Sequence, residues 1–159
     1  MIFSIADRQT FTLEVDPSKL STAQQKGVRA FISKSGKAFT TFYKKKKVVM
    51  TERILYSMLN KHKPKEPIRN DGDTCVLLVI TYMFPHTSNC PKWKRDGIAF
   101  MTQRPDVDNL SKSLIDCMTK CGFWEDDSMV NTFMKKFRSP NPCIFITIEK
   151  WRQEREPNT

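Results

Sequence analysis

Hydrophobic and polar positions recur with different periods along this chain, and each change of period marks an element. Residues 11–15 alternate in the manner of a short strand, which Asp16-Pro17 ends. Residues 49–61 set Ile54, Leu55, Met58 and Leu59 at helical spacing. This predicts an amphipathic helix with Thr51 as a weak candidate cap, closed off by Pro64 and Pro67. Residues 75–84, CVLLVITYMF, are apolar on both faces and rich in β-formers, the pattern of a central strand buried on both sides. Residues 85–104 have no period and read as a long loop, either functional or a surface excursion with Trp93 buried. A second helix is predicted over 109–121, with Leu110, Leu114, Cys117, Met118 and Cys121 as its apolar stripe and Gly122 as its stop. Two strands, 129–138 and 143–150, flank the turn Ser139-Pro140-Asn141-Pro142, and the second sets Ile144, Ile146 and Ile148 on one face. Residues 152–159 are charged and expected to fray. No fixed-period repeat occurs, so the expectation is α+β: one domain over 1–159, with a small mixed sheet and two main helices.

Between the first strand and the first helix, residues 19–47 are polar and basic. Phe31, Phe39, Phe42 and Tyr43 are interleaved there with Lys26, Arg29, Lys34, Lys37 and the run Lys44, Lys45, Lys46 and Lys47. Basic and aromatic residues in alternation suit nucleic-acid backbone contact with base stacking. The alternative is a solvated lysine flap whose aromatics are strand residues packing inward. The two readings of this segment stand even, and the charge of the whole chain bears on the partner class instead. Lys and Arg number 27 against 17 Asp and Glu, giving a formal charge of +10 and a pI near 9.5. A field of that sign attracts polyanions rather than neutral metabolites.

An anionic membrane is the other polyanion to weigh. The longest apolar run, 75–84, is about half of what spans a bilayer. No predicted helix pairs a lysine-rich face with a broad apolar one, and the first residues lack the pattern of a secretory signal. The expectation is a cytosolic protein with no membrane partner. Five cysteines, at 75, 90, 117, 121 and 143, suit a reducing compartment. They read as core or free thiols rather than zinc ligands, since no CxxC or HxxxH pair accompanies them and His62 and His86 are isolated. A chain of this length buries a core without staples.

The stretch 104–128, RPDVDNLSKSLIDCMTKCGFWEDDS, holds the candidate chemistry. In extended chain, residues two apart share a face, so Asp106 and Asp108 are expected side by side just before the helix, which Asp108 or Asn109 is placed to cap. Lys112 follows Asp108 by about one helical turn. Lys112 and Asp116 fall opposite the apolar stripe, on a face free to line a cleft. After Gly122 reverses the chain, Glu125, Asp126 and Asp127 return three more acids. Carboxylates gathered in this way repel one another unless a cation joins them. A hard divalent ion such as Mg²⁺ accepts a few carboxylates, keeps several waters and activates one beside a phosphate. Taken singly, D-x-D is short, Asp108 is a plausible cap and EDDS a plausible solvated turn; the weight lies in their conjunction.

The run PDVDNLSKSLID, followed by GFWEDDS and a basic strand, is similar to the signature of the RusA-like Holliday-junction resolvases of bacteria and their phages. That pattern is D-x-D-N-x-x-K and then W-x-D-D. Asp106 and Asp108 match its paired acids, Lys112 its lysine, and Asp127 its last acid, with Asp126 beside it. The resemblance implies a homodimer of α+β subunits, dependence on Mg²⁺ or Mn²⁺, and paired nicks across a four-way DNA junction in recombination and repair. It implies Asp106, Asp108 and Asp127 as metal ligands with Lys112 at the phosphate, and a bacterial or phage-infected cytoplasm. Asp126 and Asp116 are candidates behind them. Lys44, Lys45, Lys46, Lys47, Lys92, Lys94, Arg95, Arg104, Lys135, Lys136 and Arg138 are candidates for DNA contact. The match is specific over 104–150, while the N-terminal half departs from the proline-rich opening and shorter basic loop expected of the family. A nuclease for other branched or flapped DNA, or a non-catalytic nucleic-acid-binding accessory, are the rival readings.

Overall fold

The computed structural model of the chain describes residues 2–21 and 26–154. Strands β1 (Ile2–Leu13), β4 (Thr74–Pro85), β5 (Ala99–Phe100), β6 (Val130–Ser139) and β7 (Cys143–Glu154) form one sheet in the order β1-β7-β4-β6-β5. Strands β2 (Lys26–Ile32) and β3 (Ala38–Lys44) make a separate antiparallel hairpin. Helices α1 (Lys46–Leu59) and α3 (Val107–Cys121) pack on each other and on one face of the sheet, and a single turn, α2 (Lys92–Arg95), sits in the loop after β4. The fold class is α+β with a mixed sheet, as expected.

The sheet is organised around β4, which pairs antiparallel with β7 and parallel with β6. Alternation sends Val76, Leu78, Ile80, Tyr82 and Phe84 beneath the helices. There they meet Leu55 and Leu59 of α1, Leu110, Leu114 and Met118 of α3, and Ile144, Ile146 and Ile148 of β7. Complete burial of such a side chain is worth roughly 1.5–3 kcal/mol. The other face departs from expectation. Both helices lie on the same side, so Leu77, Val79 and Met83 are only partly covered, and Phe133 and Phe145 beside them are exposed.

Several boundaries move for identifiable reasons. The strand expected at 11–15 is the end of β1, which pairs along β7 and draws in residues 152–154 that were expected to fray. The rest of that tail, 155–159, lies outside the described residues. The last two strands do not form a hairpin with each other, because β4 lies between them. Pro140-Asn141-Pro142 bridges the end of β4, and β6 runs parallel to β4 with α3 in the crossover. Helix α1 begins at Lys46, not 49; Thr51 is buried inside it and its Oγ1 accepts the Ser21 N–H at 2.9 Å instead of capping. The lysine run thus divides, with Lys44 ending β3, Lys45 at the N-cap, and Lys46 and Lys47 in the first turn. The aromatics at 31, 39 and 42 are exposed on the hairpin rather than packed inward, and Trp93 is 78 % exposed rather than buried.

The cysteines are free, as expected. His62 stacks on Phe11 at 4.4 Å, and His86 Nε2 lies 2.9 Å from the Gly97 carbonyl. Among the described residues no helix is long and apolar enough to cross a membrane.

Candidate active site

Helix α3 begins at Val107, two residues earlier than its apolar stripe suggests, and this rearranges the first two acids. Asp106 is the N-cap residue, in extended conformation and without a side-chain capping bond, whereas Asp108 is already helical. They are therefore not adjacent side chains of an extended segment. Asp108, Lys112 and Asp116 follow one another down one face of α3 at four-residue spacing, opposite Leu110, Leu114 and Cys117. With Ser111, Ile115 and Asp127, and with Val130, Thr132 and Met134 of β6, they line a cleft of about 250 Å³. Asp106 is exposed and outside that lining.

Asp127 reaches the cleft through a chain of specific contacts. Gly122 adopts φ 86° at the end of α3, the left-handed region that glycine enters without strain, and its N–H meets the Met118 and Thr119 carbonyls. Phe123 and Trp124 are then buried, and Trp124 Nε1–H donates to Thr119 Oγ1 at 2.7 Å. The backbone of Phe123 and Glu125 pairs with Ile68 through two bonds of 3.0 Å. Glu125 accepts the Asn70 N–H at 2.9 Å, which ties it to that neighbouring segment. Asp126 accepts the Ser128 N–H at 2.7 Å at the head of a 3-10 turn, Asp127–Met129, and its bonds to Ser128 hold its carboxyl below the usual range. Asp127 is the acid of the three that shares the cleft with Asp108 and Lys112. A neighbouring depression is lined by Asp116, Thr119, Lys120, Glu125, Asp126 and Asp127, so Asp116 and Asp127 belong to both. The signal that separates Asp126 from Asp127 is the D-x-S spacing to Ser128, a local capping pattern.

Several basic residues expected to face DNA have structural work within the chain. Lys136 Nζ donates to the carbonyls of Gln103 at 2.9 Å and Pro105 at 3.3 Å. Arg138 donates to the Pro85 carbonyl at 2.7 Å and to Gln103 Oε1 at 3.0 Å. Together they hold the segment that delivers Asp106 and Asp108, a role the sequence reading missed. Lys135, adjacent in β6, is exposed on the other face of the sheet, as strand alternation requires. Arg95 donates to the Cys90 and Ser88 carbonyls of its own loop. Lys92, Lys94, Arg104, Lys45, Lys46 and Lys47 are exposed, and Lys94 stacks over Trp93 at 4.8 Å. The Lys44 side chain lies outside what is described. Beneath the cleft, the Tyr82 hydroxyl meets Ser111 Oγ at 3.0 Å, and burial pushes the Tyr82 pKa far up.

The donors along the cleft are hard oxygens, the kind that Mg²⁺ takes. Among the described residues no three His, Cys, Asp or Glu side chains draw together closely enough to hold an ion by themselves. Mg²⁺ commonly uses one or two carboxylates and completes its shell with water and phosphate. Asp108 from the helix and Asp127 from the turn, lining one cleft, fit that requirement.

Comparison with known proteins adds two findings. A family model described as Endodeoxyribonuclease RusA matches residues 22–149. The chain is also 31% identical over 121 residues to a protein named Crossover junction endodeoxyribonuclease rusA of Lactococcus phage r1t, covering 76% of this chain and 82% of that one. The family match begins well before the motif-bearing stretch and takes in the hairpin and α1.

Proposed function

The chain belongs to the RusA endodeoxyribonuclease family, and from that premise we propose that it resolves four-way DNA junctions in recombination and repair. It does so as a Mg²⁺-dependent homodimer, with Mn²⁺ able to substitute, acting in the cytoplasm. The observation that carries this reading is the sharing of one cleft by Asp108, Lys112, Asp116 and Asp127 on a chain of charge +10.

Asp108 and Asp127, which line the cleft together, would hold the ion, and Asp106, exposed at the helix cap outside that lining, would serve as a third carboxylate. Asp116 supports from the next turn of α3, and Asp126 orders the turn that presents Asp127. When bound, the ion supplies an activated water and neutralises charge at the phosphate. Lys112, one turn beyond Asp108, places its ammonium against the scissile phosphate and stabilises the charge that builds as the P–O bond breaks. The Tyr82–Ser111 pair beneath is held protonated and anchors the wall on which Lys112 stands.

The test is cleavage of a labelled four-way junction, with linear duplex and flap controls, with and without Mg²⁺. Asp108→Asn and Asp127→Asn should abolish cutting while junction binding survives, because Asn keeps the shape and removes the ligand charge. Asp126→Asn should retain most activity. Binding without Mg²⁺-dependent cutting by the wild type would mark the chain as an accessory protein.

A further inference from the structure

Outside the cleft, the largest unexplained feature is the β2–β3 hairpin. Its register pairs Gly27 with Tyr43, Arg29 with Thr41, and Phe31 with Phe39, which places these residues on one face. Phe31 and Phe39 sit directly opposite each other and are 51 % and 54 % exposed. Tyr43 is already engaged. Its ring crosses the position opposite, where a Cβ on Gly27 would clash with it, and the Arg29 guanidinium stands 4.8 Å from its centroid. The face therefore presents a braced cation beside an aromatic pair with open surface.

The charge of this region selects the partner. From residue 17 to residue 51 there is no Asp or Glu, against nine Lys or Arg. Lys46 and Lys47 occupy the first turn of α1, the positive end of the helix dipole, where cations are disfavoured. A second copy of a chain carrying +10 is a poor match for an arm with no acid; a polyanion relieves both unfavourable placements. Aromatic faces beside cations are what unstacked nucleotides bind, the rings taking the bases and the cations the phosphates. The position agrees. Leu20 and Ser21, which precede the hairpin in the chain, and Thr51 of α1, which follows it, line one small cavity with Leu110 and Ser113 of α3, the helix that carries Asp108 and Lys112.

We infer that the hairpin is a base-stacking arm, in which Phe31 and Phe39 receive unstacked nucleotides at the branch point while Arg29 holds the adjoining phosphate. This rests on the nuclease reading, since it takes the branched substrate from it.

The experiment compares full-length wild type, the double variant Phe31→Ala/Phe39→Ala and the double variant Phe31→Trp/Phe39→Trp. Each is measured for affinity to a four-way junction and to linear duplex of the same arms, with sedimentation of each protein. Junction affinity of the alanine pair should fall roughly tenfold or more while duplex affinity holds, and the tryptophan pair should restore it. Junctions carrying 5-iodouracil at the branch should photocrosslink to a peptide containing Phe31 or Phe39. Unchanged junction affinity in the alanine pair, with a wild type that cuts junctions, overturns the arm and leaves the nuclease standing. A wild type that cuts no branched DNA removes the nuclease reading and the inference with it. Conversion of a dimer to a monomer by the alanine pair would assign this face to a subunit contact and overturn the inference as well.

Discussion

Lys112 stands on the cleft face of α3, and its neighbours by spacing, Asp108 and Asp116, lie one turn away on either side. If it acts on the phosphate as a compact point charge, a guanidinium at the same position changes reach and geometry. Lys112→Arg should lose most of the cutting rate and Lys112→Ala nearly all, with junction affinity changed only slightly because one contact among many is lost. Single-turnover rates measured at saturating protein decide this; equal rates in all three would reduce Lys112 to a surface charge. Tyr82 makes a pH prediction. Its folded pKa is raised, so its contribution to stability is intact below the unfolded value near 10 and is lost as pH climbs above it, at about 1.4 kcal/mol per unit. Urea midpoints between pH 10 and 11 should fall for the wild type and fall less steeply for Tyr82→Phe. At this scale the sequence pointed to the residues that share the cleft, Asp108, Lys112, Asp116 and Asp127, because D-x-D-N-x-x-K and W-x-D-D are dense in polar chemistry. What could not be read was direction: the helix starting at Val107 separates Asp106 from Asp108, and the Ser128 bond turns Asp126 to capping.

Strand β6 shows how an element divides one stretch of charge between two tasks. Lys136 is bonded to the Gln103 and Pro105 carbonyls, while Lys135 looks out from the opposite face. Lys136→Met keeps the stem and removes the donor, so it should loosen the segment leading into α3. Cutting rate should drop about tenfold while the salt dependence of junction binding stays as in the wild type. A salt slope shallower by about one would instead make Lys136 a phosphate contact. The strong periods of α1, α3 and β4 identified those elements correctly in kind. Their starts were less legible, because Lys46 and Lys47 are poor first-turn residues and no pattern of apolar positions reports a helix that begins before its buried stripe. The apolar run of β4 pointed to burial on two faces; both helices chose one, a choice made by chain connection rather than by the strand.

For the whole molecule, the proposed chemistry requires two cuts, and a single cleft lined by Asp108, Lys112 and Asp127 would make one of them. Sedimentation at micromolar concentration should give about twice the 18.6 kDa chain mass, a two-fold dimer being the commonest soluble assembly. Mixing wild type with excess Asp108→Asn should then leave junctions nicked on one strand only. Paired cutting at full rate by a monomer would sink this. The class of fold was legible from periods alone, whereas strand order was not: the Ser139–Pro142 turn looked like a hairpin because nothing local announces that β4 occupies the slot between the strands it joins. That order has a consequence in time. Among the described residues β1 is an edge strand whose neighbour in the sheet is β7, the strand farthest from it along the chain. At a synthesis rate of about 5–20 residues per second, the wait from one to the other on the ribosome is on the order of ten seconds. Through that interval a twelve-residue strand carrying Phe3, Ile5, Phe11 and Leu13 has no native partner, and such long-range pairing is slow to form even once the chain is free. The nascent protein is accordingly most exposed to aggregation just before β7 emerges.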